Sequence, residues 1–107
     1  MAVPHEHELR PVDARELATA FADIVGADPV VERMWVSEHR GVVSFWLLTR
    51  PAEADDERRL YLSIDRLYDR FGDIAIRLHL INPRNYEPLE LDVVLPQGAD
   101  EIALTTV

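Results

Sequence analysis

The chain contains no cysteine and no lysine. Without cysteine it has no disulfides, no Cys-ligated zinc and no iron–sulfur cluster, a composition that suits a reducing compartment. All eleven cations are arginine and face twenty carboxylates, which leaves a net charge of −9. A surface this acidic repels nucleic acid and anionic membranes over most of its area. Glycine is scarce too: four in 107 residues, each isolated, so no glycine-rich loop can cradle a phosphate. None of G-x-G-x-x-G, Walker A, H-E-x-x-H or G-x-S-x-G occurs. No apolar run approaches the ~20 residues of a membrane helix. The start, Met1–Arg10, is polar and does not read as a signal peptide. These absences predict a cytoplasmic protein without cofactor or metal that binds neither nucleic acid nor membrane.

What is present reads as one domain, 11–107, behind a polar tail, 1–10. The first helix is expected over Asp13–Val25. Asp13 and Glu16 suit a capping box, and Leu17, Phe21, Ile24 and Val25 share a face. Gly26 suits a left-handed helix end, and Pro29 forbids continuation. Two strands rich in Val, Trp, Phe and Leu follow, Val30–Glu38 and Val42–Arg50. A second helix is expected to run unbroken over Glu53–Phe71, with acids in its first turn and the stripe Leu60, Ile64, Leu67, Tyr68, Phe71. Gly72 closes it, and a third strand covers Ile74–Ile81. Beyond Asn82–Pro83 the pattern is ambiguous. Leu89, Leu91, Val93 and Leu95 suit a strand, a helical turn around Asp92 fits as well, and Glu101–Thr106 suits a last edge strand. The fold class is α+β: a small mixed sheet in the order α-β-β-α-β, a C-terminal segment, and both helices on one face.

The hairpin carries the sharpest inference. A two-residue turn at Arg40–Gly41 makes facing residues sum to 81, so Trp35 faces Trp46, Ser37 faces Ser44 and Arg33 faces Leu48. Met34, Val36, Phe45 and Leu47 then form the helix-covered side. Arg77 and His79 extend the other side from the third strand. The result is a second face bearing Arg33, Trp35, Ser37, Ser44, Trp46, Arg77 and His79, of which tryptophan and arginine are the residue types most often found as binding anchors. The segment Leu89–Val107 either covers that face or leaves it open.

Other groups read as structure. His5 and His7 could chelate a metal in the tail, but nothing nearby holds them in place. Asp55–Glu57 suit a helix start, with Asp55 set to pair with Arg59. Asn82, Arg84 and Tyr86, in a loop after a strand, offer an amide, a guanidinium and a phenol to a ligand, but the stretch reads first as turn chemistry, with proline and asparagine shaping the bend. The element order is similar to that of small nucleotidyltransferase-like domains, a resemblance of order alone. Trp35–Glu38 and Ser44–Leu47 lack the Gly-Ser turn and paired aspartates that such enzymes use, so a protein of that kind would be degenerate.

Three functions follow in order of preference. The first is a non-catalytic interaction module, a homodimer or a domain that docks a protein through the aromatic and arginine-bearing face. The second is a binder of a small anion or nucleotide through Arg33, Arg77, His79 and Arg84. The third is an acidic, antitoxin-like neutraliser of a basic partner.

Overall fold

The computed structural model describes residues 13–104. The tail and its His5–Glu8 cluster, and the last two positions of the expected final strand, lie outside the described residues. The architecture is α+β. The elements are α1 (Ala14–Val25), β1 (Val31–His39), β2 (Val42–Thr49), α2 (Ala54–Leu62), α3 (Ile64–Phe71), β3 (Ala75–Ile81), a 3-10 turn (Pro83–Asn85), α4 (Leu91–Val94) and β4 (Asp100–Ile102).

The hairpin has the expected register: Trp35 pairs with Trp46, Val36 with Phe45, and Ser37 with Ser44. Its two turn residues both have positive φ, 53° at Arg40 and 82° at Gly41. That left-handed pair matches the twist of the flanking strands. The Glu38 carboxylate accepts the Gly41 amide at 2.8 Å and braces the turn. A bulge at the far end of the ribbon shifts the register between Val31 and Arg33.

The sheet order is β3-β2-β1-β4. β3 runs parallel to β2, as a strand returning through the α2–α3 crossover must be able to do, and β4 runs antiparallel to β1. The first layer of core lies between the sheet and helices α1–α3. Leu17, Phe21 and Val25 of α1 meet Met34, Val36, Phe45 and Leu47 of the hairpin, joined by Leu60 and Leu67. The Phe21 and Phe45 rings tilt against each other at 4.8 Å.

Three local expectations need correcting. Gly26 is right-handed (φ −63°), and its amide simply continues the α1 ladder to the Ala22 carbonyl at 2.8 Å. The second helix is two helices, separated at Ser63. There the amide is shared between the Arg59 and Leu60 carbonyls, and the hydroxyl also donates to the Leu60 carbonyl. Serine back-bonding of this kind competes with the helical ladder. Arg59 does not pair with Asp55. It reaches Asp56 at 3.0 Å and Asp28 at 2.7 Å, while Asp55 lies 3.9 Å from Arg58. Asp28 is the better partner because it is largely buried and also accepts the Val30 amide. Burial alone would raise the Asp28 carboxyl; the Arg59 and Val30 hydrogen bonds outweigh it and hold the group below the usual carboxylate range.

Candidate functional site

Register places the singled-out residues in rows across the second face of the sheet. Glu101, Trp35, Trp46 and His79 form one row, Ser37, Ser44 and Arg77 another, and Arg33, Leu48 and Ile81 a third. The candidates therefore share a face. They do not share an environment.

The inner part of the face is covered. Trp35 is 5% exposed and forms a second small core with Leu48 and Ile81. Leu89, Leu91, Val94, Leu95 and Ala99 pack against that core from the C-terminal segment. Of the two sequence alternatives, the cover is the one adopted over Trp35. α4 gives the reason: one helical turn ending before Pro96 brings Leu91, Val94 and Leu95 together over the sheet, which a flat strand would not do. Arg33 is likewise engaged. Its guanidinium makes a two-point contact with Glu101, at 2.8 and 2.7 Å, and lies 4.7 Å over the Trp35 ring. The hydrogen bond from Arg33 holds the Glu101 carboxyl below its ordinary value.

Among the described residues, nothing covers the outer part of the face at β3. His79 stacks on Trp46 with ring centroids 4.8 Å apart and planes 15° from parallel. Burial against this surface, then the charge of Arg77, pushes the imidazole below its ordinary value. The stack forms one wall of a cleft of about 270 Å³, completed by Tyr61 of α2, Tyr86 and Val94. No carboxylate lines this cleft. A histidine general base is usually oriented by a carboxylate, and none is present in this lining. Its volume suits one or two side chains rather than a cofactor. Ser37 and Ser44 sit half-buried opposite each other, a row away from His79.

The loop candidates divide. Asn82 is 3% exposed and works as a structural tie. Its Oδ1 accepts the amides of Ala52 (3.1 Å) and Arg84 (3.2 Å), and its Nδ2 donates to the Ala52 carbonyl and to Glu57, both at 2.9 Å. Arg84 is bound to Glu53. Tyr86 remains 36% exposed at the mouth of the cleft.

Two features were not visible in the sequence. One is the free outer edge of β3. Nothing in a strand's own residues tells which neighbours it takes, and among the described residues β3 has β2 on one side only. It is seven residues long, regular and free of proline. The opposite edge is the three-residue, acid-bearing β4, a blunted edge. The other feature is an open groove of about 680 Å³ between the end of α1 and α2, with Ile24, Pro29 and the exposed Leu62 among its lining. Leu62 lies off the apolar stripe, and that was the one available signal. Arg59 at this groove is held by Asp28 and Asp56.

Among the described residues no group of three or more His, Asp or Glu side chains is placed to hold a metal, and no helix is long and apolar enough to cross a membrane. No known protein family, no curated protein and no solved structure matches the chain.

Proposed function

We propose that this domain is a protein-docking module that accepts an extended segment at the outer edge of β3. The observation behind this reading is the contrast between the two edges of the sheet. β3 presents a regular, seven-residue row of backbone donors and acceptors beside the Trp46–His79 cleft, whereas β4 is short and carries Asp100 and Glu101. An exposed regular edge is a template for strand addition. Main-chain bonds provide the affinity, and flanking pockets select alternate side chains. Here the selecting groups are Tyr61 with Leu78 and Leu80 toward the helices, and Trp46, His79 and Tyr86 on the other side.

The test is a displayed library of extended peptides panned on the immobilised chain. Enriched peptides should protect β3 amides from hydrogen exchange and lose binding to Leu78→Lys, because an inward-pointing lysine is a device that blocks edge pairing. Enrichment that survives this substitution, with circular dichroism unchanged, refutes the reading. The anion reading keeps weaker support. Arg33 and Arg84 are neutralised by Glu101 and Glu53, which leaves Arg77 and His79 to carry it.

A further inference from the structure

We infer that the strand accepted by the β3 edge is β3 of a second copy of this chain, paired antiparallel about a two-fold axis at Leu78. The inference rests on the docking reading above and names its partner. Three observations carry it.

The first is geometric. Leu78 is the central residue of Ala75–Ile81. An axis there lets every residue of the strand take part, and any other register leaves some unpaired. Ile76 then faces Leu80 of the second copy, so the half-buried row Ile76, Leu78, Leu80 runs on across the axis. Arg77 faces His79 of the second copy. A closed two-fold contact needs a self-complementary patch, and an antiparallel pair of identical edges is self-complementary in its backbone by construction. The two four-stranded sheets become one continuous sheet with the helices of both copies on the same side.

The second is electrostatic. Two chains of net charge −9 repel over most of their surfaces. From Ile74 to Tyr86, however, there is no Asp or Glu, while Arg77, His79 and Arg84 fall in that stretch. The strand itself therefore brings no carboxylates face to face. Pairing β3 with β4 of the next copy would instead build an open-ended chain, and β4 offers only three residues.

The third is area. Tyr61 is 50% exposed and Tyr86 36%, and they line the cleft at the strand together with Val94. With the strand itself they offer on the order of 500–600 Å² per copy, at the low end for a specific interface. The expected dimer is therefore weak, with a dissociation constant in the micromolar range.

The chain has no cysteine, so a single introduced cysteine can form a disulfide only between copies. Arg77→Cys and His79→Cys are made separately, and each is oxidised alone and in an equimolar mixture. At the proposed register residue 77 lies opposite 79, whereas 77–77 and 79–79 are diagonal pairs roughly 7–8 Å apart, beyond disulfide reach. The mixture should cross-link at least tenfold faster than either variant alone. In parallel, the full chain is sedimented from low micromolar to several hundred micromolar, with Leu78→Lys as comparison. A concentration-dependent dimer that Leu78→Lys abolishes, together with the preferential mixed cross-link, supports the proposal. A monomer throughout, open-ended growth, or a dimer indifferent to Leu78→Lys without that cross-link overturns it. The peptide panning above reports separately on the edge: a monomer that still selects peptides through β3 defeats the second copy as occupant but not the docking site.

Discussion

Replacing Asn82 with alanine tests whether one buried amide joins the two halves of the α2 crossover. Its side chain is the buried link between the β2–α2 connection at Ala52 and the end of β3, beside the exposed Arg84–Glu53 pair. Removal strands the Ala52 amide and carbonyl in a residue that is 4% exposed. Each unsatisfied buried backbone group costs about 1–3 kcal/mol, and the bond to Glu57 adds a smaller amount. The expected loss is about 3 kcal/mol, or roughly 12–24 °C in Tm for a domain of this size. Asn82→Asp separates the hydrogen-bond pattern from the shape. Its carboxylate can still accept from Ala52 and Arg84, but it opposes the Ala52 carbonyl and the Glu57 carboxylate. It should be destabilising at pH 7. Adding Glu57→Gln should restore part of the loss at pH 7. Urea unfolding of the two single variants and the double variant, completing the cycle with Glu57→Gln, measures all of this. An Asn82→Ala loss below about 1 kcal/mol would show that water or backbone adjustment replaces the amide, and the tie would not be what joins these segments.

Three further outcomes are expected. Arg40→Asn should raise stability by about 0.5–1 kcal/mol in thermal unfolding, because Arg40 sits at φ 53° in a two-residue turn that asparagine occupies more readily. His79→Gln should reduce the acid sensitivity of the fold. The folded imidazole titrates below its ordinary value of 6.5, so the neutral form is favoured and stability falls as pH drops through 6.5 toward the lower folded value. Urea midpoints at pH 7.5 and 5.5 should therefore differ less in the variant than in the parent, and equal differences would contradict the assignment. Leu95→Ser should cost about 1–2 kcal/mol and make Trp35 more accessible to acrylamide, read in a Trp46→Phe background, because Leu95 packs on the Trp35 cluster.

The parts of the fold legible in the sequence are those set by near neighbours. Arg40–Gly41 fixes the sum of facing positions, so Trp35–Trp46 and Ser37–Ser44 could be read before any coordinates. The α1 stripe and the alternation of β3 are of the same kind. The break at Ser63 was hidden because Leu60, Ile64 and Leu67 all face the core, so the stripe passes through it. Leu89, Leu91 and Leu95 were ambiguous because alternate leucines satisfy both a strand and a single helical turn. At the candidate site, the face was legible and its partition was not. That Trp35 is buried while Trp46 and His79 reach an open edge depends on strand order and on where residues 89–99 lie, and both are long-range choices.

The path of residues 82–99 bears on how the domain assembles. The chain leaves the sheet at β3, crosses the tryptophan face and re-enters as β4 on the far side. Its closing contact, Arg33 with Glu101, joins positions 68 residues apart. The hairpin closes over two residues and should form early, whereas a contact of that separation is rewarded only after the intervening chain has been ordered. Until the strap formed by residues 82–99 docks and β4 pairs, the outer side of β1 is bare and Trp35 is uncovered. The species most prone to aggregate is therefore a nearly native core still missing its last strand, and solubility during folding depends on how fast that strap arrives rather than on how stable the finished domain is.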